Sequence, residues 1–232
     1  MWPSTETQWK QYGTYQLEAV IINTPNQKFL FSKWLFAEWY DLLNSVVEPK
    51  IIPHRRATAE QCTGSVLEIG AGTGANLEYL SNAKQITLSE PDKYMRRKLE
   101  PLATSLTIPV DLVSHPGESL PFKDNTFDSV LTTLVLCMVE DVDKVIKEAL
   151  RVLKPGGRYY FYEHVIAKRQ AGKLLQKILD PAWKWGTTGC HLQRDLIKNI
   201  KNLSYSKICL REFQFTLGLP IVIPNIIGYV EK

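Results

Sequence analysis

Val66-Leu67-Glu68-Ile69-Gly70-Ala71-Gly72-Thr73-Gly74-Ala75-Asn76 is a β-rich run that breaks into glycines at every second position. The pattern predicts a strand over Ser65–Ile69, a tight turn, and a helix opening over Ala75–Leu80. Glycine lets the backbone turn sharply and lets a ligand approach the main chain with no Cβ in the way. A dinucleotide would want G-x-G-x-x-G here. Its third glycine position holds Ala75, a tolerated substitute, so that reading stays open. A nucleoside triphosphate would want a lysine after the loop, and none follows.

A third ligand class is S-adenosylmethionine. It carries no phosphate, so the loop need only pass close to its amino acid and ribose parts. Glu68, just before the turn, suits a cationic amino group better than a pyrophosphate. Glu90 stands at the end of the next strand, about twenty residues after Gly70, where an acid accepts hydrogen bonds from ribose hydroxyls. Such an acid serves NAD equally. An NAD-dependent oxidoreductase therefore remains an alternative, although no Tyr-x-x-x-Lys pair is present: Tyr159 and Tyr160 are followed four residues later by Glu163 and His164.

Outward from the loop, strands and helices alternate. Strands are predicted at Gln85–Ser89, Pro109–Val113, Phe127–Thr133 and Arg158–Glu163, and a helix at Lys93–Leu102. Val142–Leu153 places Val142, Val145, Ile146, Ala149, Leu150 and Leu153 on one helical face, and Lys154-Pro155-Gly156-Gly157 ends it. Alternation of this kind predicts a parallel sheet with right-handed crossovers. Residues 204–231 hold two strand-like runs with no helix between them. The charge-free stretch Phe213–Val230 carries Pro220, Pro224, Gly218 and Gly228, and reads as two buried strands rather than a membrane span.

Three further segments, and then three in the tail, complete a pattern. Ser119-Leu120-Pro121-Phe122-Lys123-Asp124-Asn125-Thr126-Phe127-Asp128, Thr133-Leu134-Val135-Leu136-Cys137 and Arg151-Val152-Leu153-Lys154-Pro155-Gly156-Gly157 follow the loop in order. The tail adds Glu163-His164-Val165, Asp180-Pro181-Ala182-Trp183-Lys184 and Gly189-Cys190-His191-Leu192. The chain resembles the class I S-adenosylmethionine-dependent methyltransferases. Its tail resembles their small-molecule (thiol) methyltransferase-like branch, and the whole is also similar to ubiquinone/menaquinone-type methyltransferases. The resemblance implies an α/β, Rossmann-like, seven-stranded, mostly parallel sheet with an antiparallel last strand and helices on both faces. It implies S-adenosylmethionine as cofactor, with Glu68, Gly70, Ala71, Gly72 and Asn76 along its amino acid part. Glu90 would take the ribose, Pro91, Gly117 and Glu118 the adenine, and Thr133 and Leu134 would close over it. The sulfonium is an activated methyl donor, so alignment of the acceptor supplies much of the rate. A base helps when the acceptor is a thiol, hydroxyl or acidic carbon, and His164 and His191 are the candidates. The acceptor is expected to be small and lipophilic, a thiol among the options, with quinone C- or phospholipid N-methylation as alternatives. A cofactor-binding protein without catalysis is a further reading.

The 232 residues suit one domain with an appendage, and 44% hydrophobic content rules out a disordered chain. Net charge is +4, too mild for a nucleic-acid binder. The expected division is an N-terminal helical cap over 1–64 and a cofactor-binding domain over 65–232, with 164–203 as a substrate-covering insertion. Trp183, Trp185 and the aromatics of 29–40 are candidates for an apolar substrate wall. Cys62, Cys137, Cys190 and Cys209 are scattered, which indicates neither a metal site nor a disulfide framework. Members of the resembled branch carry a hydrophobic N-terminal anchor. Here the start, Met1-Trp2-Pro3-Ser4-Thr5-Glu6, is polar, so a cytoplasmic location is expected, with peripheral membrane contact not indicated.

Overall fold

The computed structural model describes residues 38, 48–216 and 222–232. The apolar stretch around 29–43, expected to form part of the cap, lies outside the described residues apart from Glu38.

A helix whose described part runs 48–58 (α1) leads into the sheet. The strands are β1 (Gly64–Ile69), β2 (Ala83–Ser89), β3 (Val110–Val113), β4 (Phe127–Thr133), β5 (Leu153–His164), β6 (Lys207–Thr216) and β7 (Val222–Glu231). They lie in the order β3-β2-β1-β4-β5-β7-β6. β1 to β5 pair in parallel, and β7 runs antiparallel to both of its neighbours, β5 and β6. The central strands read as near-continuous apolar runs because both sheet faces are covered.

Alternate residues of β1 enter two different cores. Val66 packs with Leu88, Leu131 and Tyr160 on the side of helix α2 (Lys93–Thr104), and Leu67 and Ile69 pack with Ile146 and Phe161 on the side of helix α3 (Val142–Val152). Helices therefore lie on both faces, as expected. α2 buries Met95, Leu99 and Ala103 at four-residue spacing, and the Asp92 side chain caps it by accepting from the Tyr94 and Met95 amides. Complete burial of a side chain such as Leu99 stabilises the fold by about 1.5–3 kcal/mol. α3 buries Val145, Ile146, Ala149 and Val152, with Asp141 as its cap. Helices α4 (Gln170–Gly186) and α5 (Leu196–Lys201) fill the long connection from β5 to β6.

Three expectations are corrected. The helix over Ala75–Leu80 is only a 3-10 turn at Leu77–Tyr79. Gly74 has φ +92°, and the Asn76 side chain is drawn inward to Glu68 and Thr133 instead of leaving the chain free to wind. The fifth strand begins at Leu153 rather than Arg158, because Lys154-Pro155-Gly156-Gly157 is already drawn along β4 and the C-terminus, with the Gly156 amide donating to the Lys232 carbonyl at 3.0 Å. The C-terminal strands are not both buried: β6 is the sheet edge and alternates between half-buried and exposed residues.

Candidate active site

The glycine loop connects the carboxyl end of β1 to the 3-10 turn, at the edge where parallel sheets of this kind bind ligands. Gly70 (φ +70°) and Ala71 donate their amides to the Ser89 carbonyl at 2.7 and 3.2 Å, which ties the loop to the end of β2. A Cβ at Gly70 would stand 2.7 Å from the Val135 methyls. Gly72 (φ +57°) differs, since a Cβ there would meet nothing within 4 Å. Its amide donates to Glu90 Oε2 at 2.8 Å, and the Asp92 amide donates to Glu90 Oε1 at 2.8 Å. Glu90 thus stands beside the open face of the loop, 7% exposed.

Beneath the loop lies a buried polar chain. Asn76 Nδ2 donates to Glu68 Oε1 at 2.6 Å and to Thr133 Oγ1 at 3.0 Å. Its Oδ1 accepts from Arg55 Nη1 at 2.6 Å, and Arg55 pairs with Glu48 at 2.9 Å. Glu68 Oε2 is buried and has no hydrogen-bond partner among the described residues. Burial pushes the Glu68 carboxyl up to about 7, against the lowering effects of Asn76 and Arg55. Burial raises Glu90 as well, against the two amides it accepts. Buried polar atoms are nearly always paired. A carboxylate oxygen left unpaired where the strand runs into the glycine turn therefore fits a ligand that brings a cationic group. The donor set fits S-adenosylmethionine: one carboxylate for an ammonium, a second for a diol.

The other expected cofactor residues are placed as follows. Pro91 is exposed beyond Glu90, with its carbonyl accepting from Arg96. Gly117 is buried because a Cβ would stand 2.7 Å from Ile69 Cγ2. Glu118 accepts the Glu140 amide at 2.8 Å, ahead of α3. Leu134 takes φ +57° at the end of β4, and its amide donates to the Tyr162 carbonyl at 2.8 Å.

The second half of the site lies along the same edge, past β4. Glu163 Oε1 accepts the Val135 and Leu136 amides at 3.0 and 3.1 Å, which fixes the loop carrying Cys137. Burial pushes the Glu163 carboxyl up to about 7. His164 ends β5, and its Nε2 lies 2.9 Å from Cys190 Sγ. The Sγ of Cys137, the Sγ of Cys190 and a ring nitrogen of His164 all lie within 4.8 Å of one another, each residue being buried. Cys137 holds its proton, raised by its hydrogen bond to Cys190 and by burial. Cys190 is pulled down by Cys137 and, beyond the opposing effect of burial, by His164. His164 is raised because the contact with Cys190 outweighs the burial that opposes its charge.

His191, the other expected base, is not part of this cluster. Its amide holds the Cys137 carbonyl at 2.9 Å, while its ring stands 3.9 Å from Asp180, partly exposed, with burial lowering its pKa. Trp183 is half-buried near Cys190, but Trp185 is 83% exposed and lines no buried wall. Arg55 was not singled out from the sequence, because it is one basic residue in a run ahead of the glycine loop. The joining of Cys137, His164 and Cys190 was hidden by the intervals between them. The cysteine spacing indicated no zinc site, and nothing in the sequence marked two of these cysteines as standing beside His164.

A methyltransferase domain family matches residues 67–161. Human thiol S-methyltransferase TMT1A is 36% identical over 172 residues, covering 72% of this chain and 70% of that protein. The ubiquinone/menaquinone biosynthesis C-methyltransferase UbiE of Haemophilus ducreyi is 34% identical over 137 residues, covering 53% of this chain and 52% of its own length. Among solved structures, an S-adenosylmethionine-dependent methyltransferase of Thermotoga maritima, described as a possible histamine N-methyltransferase, superposes with TM-score 0.65 at 18% identity. It covers 88% of this chain and 99% of that one, and shows the shared fold.

Proposed function

The chain belongs to the class I S-adenosylmethionine-dependent methyltransferases, close to the thiol S-methyltransferases, and from that premise we propose that it methylates a small, lipophilic acceptor, a thiol first among the classes. When bound, S-adenosylmethionine supplies a methyl group on a sulfonium sulfur. Glu68 is assigned to its ammonium and Glu90 to its ribose hydroxyls. Gly70, Ala71 and Gly72 leave the main chain open beside them, Asn76 holds Glu68 in place, and Thr133 and Leu134 border the acceptor side. Pro91, Gly117 and Glu118 are assigned to the adenine end.

The observation that carries the cofactor half is the buried, unpartnered Glu68 oxygen at the end of β1, where the glycine loop begins. The observation favouring a thiol is the buried cluster of Cys137, His164 and Cys190 at the adjoining strand ends. A polarisable, thiol-lined wall suits a sulfur acceptor. The name of the human relative points the same way. His164, rather than His191, is assigned to the acceptor's proton, because it ends β5 inside the cluster. The quinone alternative rests on the shorter similarity to the ubiquinone/menaquinone enzyme.

The N-terminal region over 1–64 and the insertion over 164–203 are assigned as the acceptor's cover. Among the described residues no helix is long and apolar enough to cross a membrane. A cytoplasmic location is proposed. A screen of labelled methyl transfer over alkyl thiols, quinones and phosphatidylethanolamine tests the acceptor. Label in a thioether product is expected, and label confined to quinone or lipid would overturn the thiol assignment. Calorimetry with S-adenosylhomocysteine and NAD tests the cofactor, and tight binding of NAD alone would sink it.

A further inference from the structure

We propose that Cys137, His164 and Cys190 form a binding site for one Zn2+ ion, with three protein ligands and a fourth position for the acceptor sulfur. The ligands come from three separate places: the loop after β4, the last residue of β5 and the loop after α4. Their donor atoms already lie within 4.8 Å of one another. Zinc takes sulfur at about 2.3 Å and nitrogen at about 2.0–2.1 Å in a tetrahedron, so the 2.9 Å edge between His164 and Cys190 must open by less than about 1 Å.

The set is soft and nitrogen-containing, the donor chemistry zinc selects, and it includes none of the carboxylates that calcium or magnesium would need. Two thiolates and a neutral imidazole leave a bound Zn2+ with no net charge, the arrangement a buried ion requires. Exposures of 1%, 6% and 6% for Cys137, His164 and Cys190 place the cluster out of bulk water.

His164 Nε2, the nitrogen that faces Cys190, is the ligand atom. Nδ1, on the other side of the ring, is buried without a partner among the described residues and stays outside the coordination sphere. The positions of the ligands are meanwhile heavily fixed. The Glu163 carboxylate holds the Val135 and Leu136 amides, the His191 amide holds the Cys137 carbonyl, and Arg194 donates to the Leu136 and Val139 carbonyls. A ligand set held this way is preorganised by the fold and not by the ion.

Three-ligand zinc sites keep a position open, and a thiol bound there is deprotonated. In this step the acceptor S–H bond breaks, its proton goes to solvent, and a sulfur–zinc bond forms, with no change of oxidation state. Solvent takes the proton because His164, once a zinc ligand, no longer serves as the base assigned to it in the metal-free site. The fourth ligand rests on the thiol reading above, while the three-ligand site stands on its own geometry.

The test uses the full, metal-free chain titrated with Co2+ and then with Zn2+. One equivalent of Co2+ should give thiolate-to-cobalt charge-transfer absorption and tetrahedral visible bands, which Zn2+ then abolishes. C137S, C190S and H164A should each weaken Zn2+ binding by at least about 10–100-fold, whereas C209S, which alters an exposed cysteine, should not. S-adenosylhomocysteine binding by each variant reports that the fold is intact. No stoichiometric uptake, or uptake unchanged in C137S and C190S with cofactor binding intact, would overturn the site. An alkyl thiol should shift the visible bands of the Co2+ form, and unshifted bands would overturn the fourth ligand. Metal uptake without S-adenosylhomocysteine binding would instead count against the methyltransferase reading and leave the metal site standing.

Discussion

Glu68 is fully enclosed, and its second carboxylate oxygen awaits a partner. Burial raises its pKa from 4.5 to about 7, so folding disfavours the ionised form. In the cofactor-free chain its contribution to stability is full below the unfolded value and is lost as pH rises toward about 7. Denaturant titrations should therefore show E68Q gaining on the parent chain above neutral pH, by on the order of 3 kcal/mol at most. A cationic cofactor group reverses the preference. S-adenosylhomocysteine affinity should rise as pH passes through 7 and should be flat with pH in E68Q, as read by calorimetry. Glu90 already accepts two amides and keeps lone pairs for a diol. E90A should lose affinity roughly 100-fold, the equivalent of two hydrogen bonds to a charged group. Unchanged affinity would remove the ribose assignment.

At the scale of elements, the glycines separate local strain from packing. Gly70 combines a left-handed backbone with a Cβ position 2.7 Å from Val135, whereas Gly72 is left-handed but uncrowded. Thermal and denaturant melts should show G70A costing about 2–4 kcal/mol and G72A about 1–2 kcal/mol. A large loss of cofactor binding in G72A with little loss of stability would show that the open space there is the ligand's. Gly228 faces the adjacent strand, and a Cβ would stand 1.9 Å from the Cys209 carbonyl oxygen. G228A must part β6 from β7, and a loss above about 4 kcal/mol is expected. Most strands and two helices were legible from their apolar periods. The helix after the glycine loop was not, because its supposed first residues spend their polar groups inward. Nor was the edge position of β6, because pairing order is a property of the sheet and not of the strand.

At the scale of the whole molecule, helix α1 and the sheet that carries the site are not independent. α1 reaches into the site through Arg55, which is 2% exposed and bonded to Asn76. Ile51 of the same helix packs against Tyr162 and Ile227. R55M should leave Asn76 Oδ1 without its donor and the Glu68 charge less compensated. A stability loss of about 1–3 kcal/mol is expected, together with weaker S-adenosylhomocysteine binding by calorimetry. Unaffected cofactor binding would show that α1 supports the fold and not the cofactor site.

The sequence by itself determined the sheet class, the glycine loop and the two carboxylates beside it. Those features are encoded by residues close together in the chain: apolar periodicity, glycine backbone freedom and a strand-end acid one crossover away. Only the tertiary structure decided what Asn76, Arg55, Cys137, His164 and Cys190 do. Arg55 and Asn76 meet because α1 folds under the loop, and the thiols meet His164 because β4, β5 and the connection after α4 end on one edge. Such meetings are set by strand order and crossover geometry, which no local pattern of residues records.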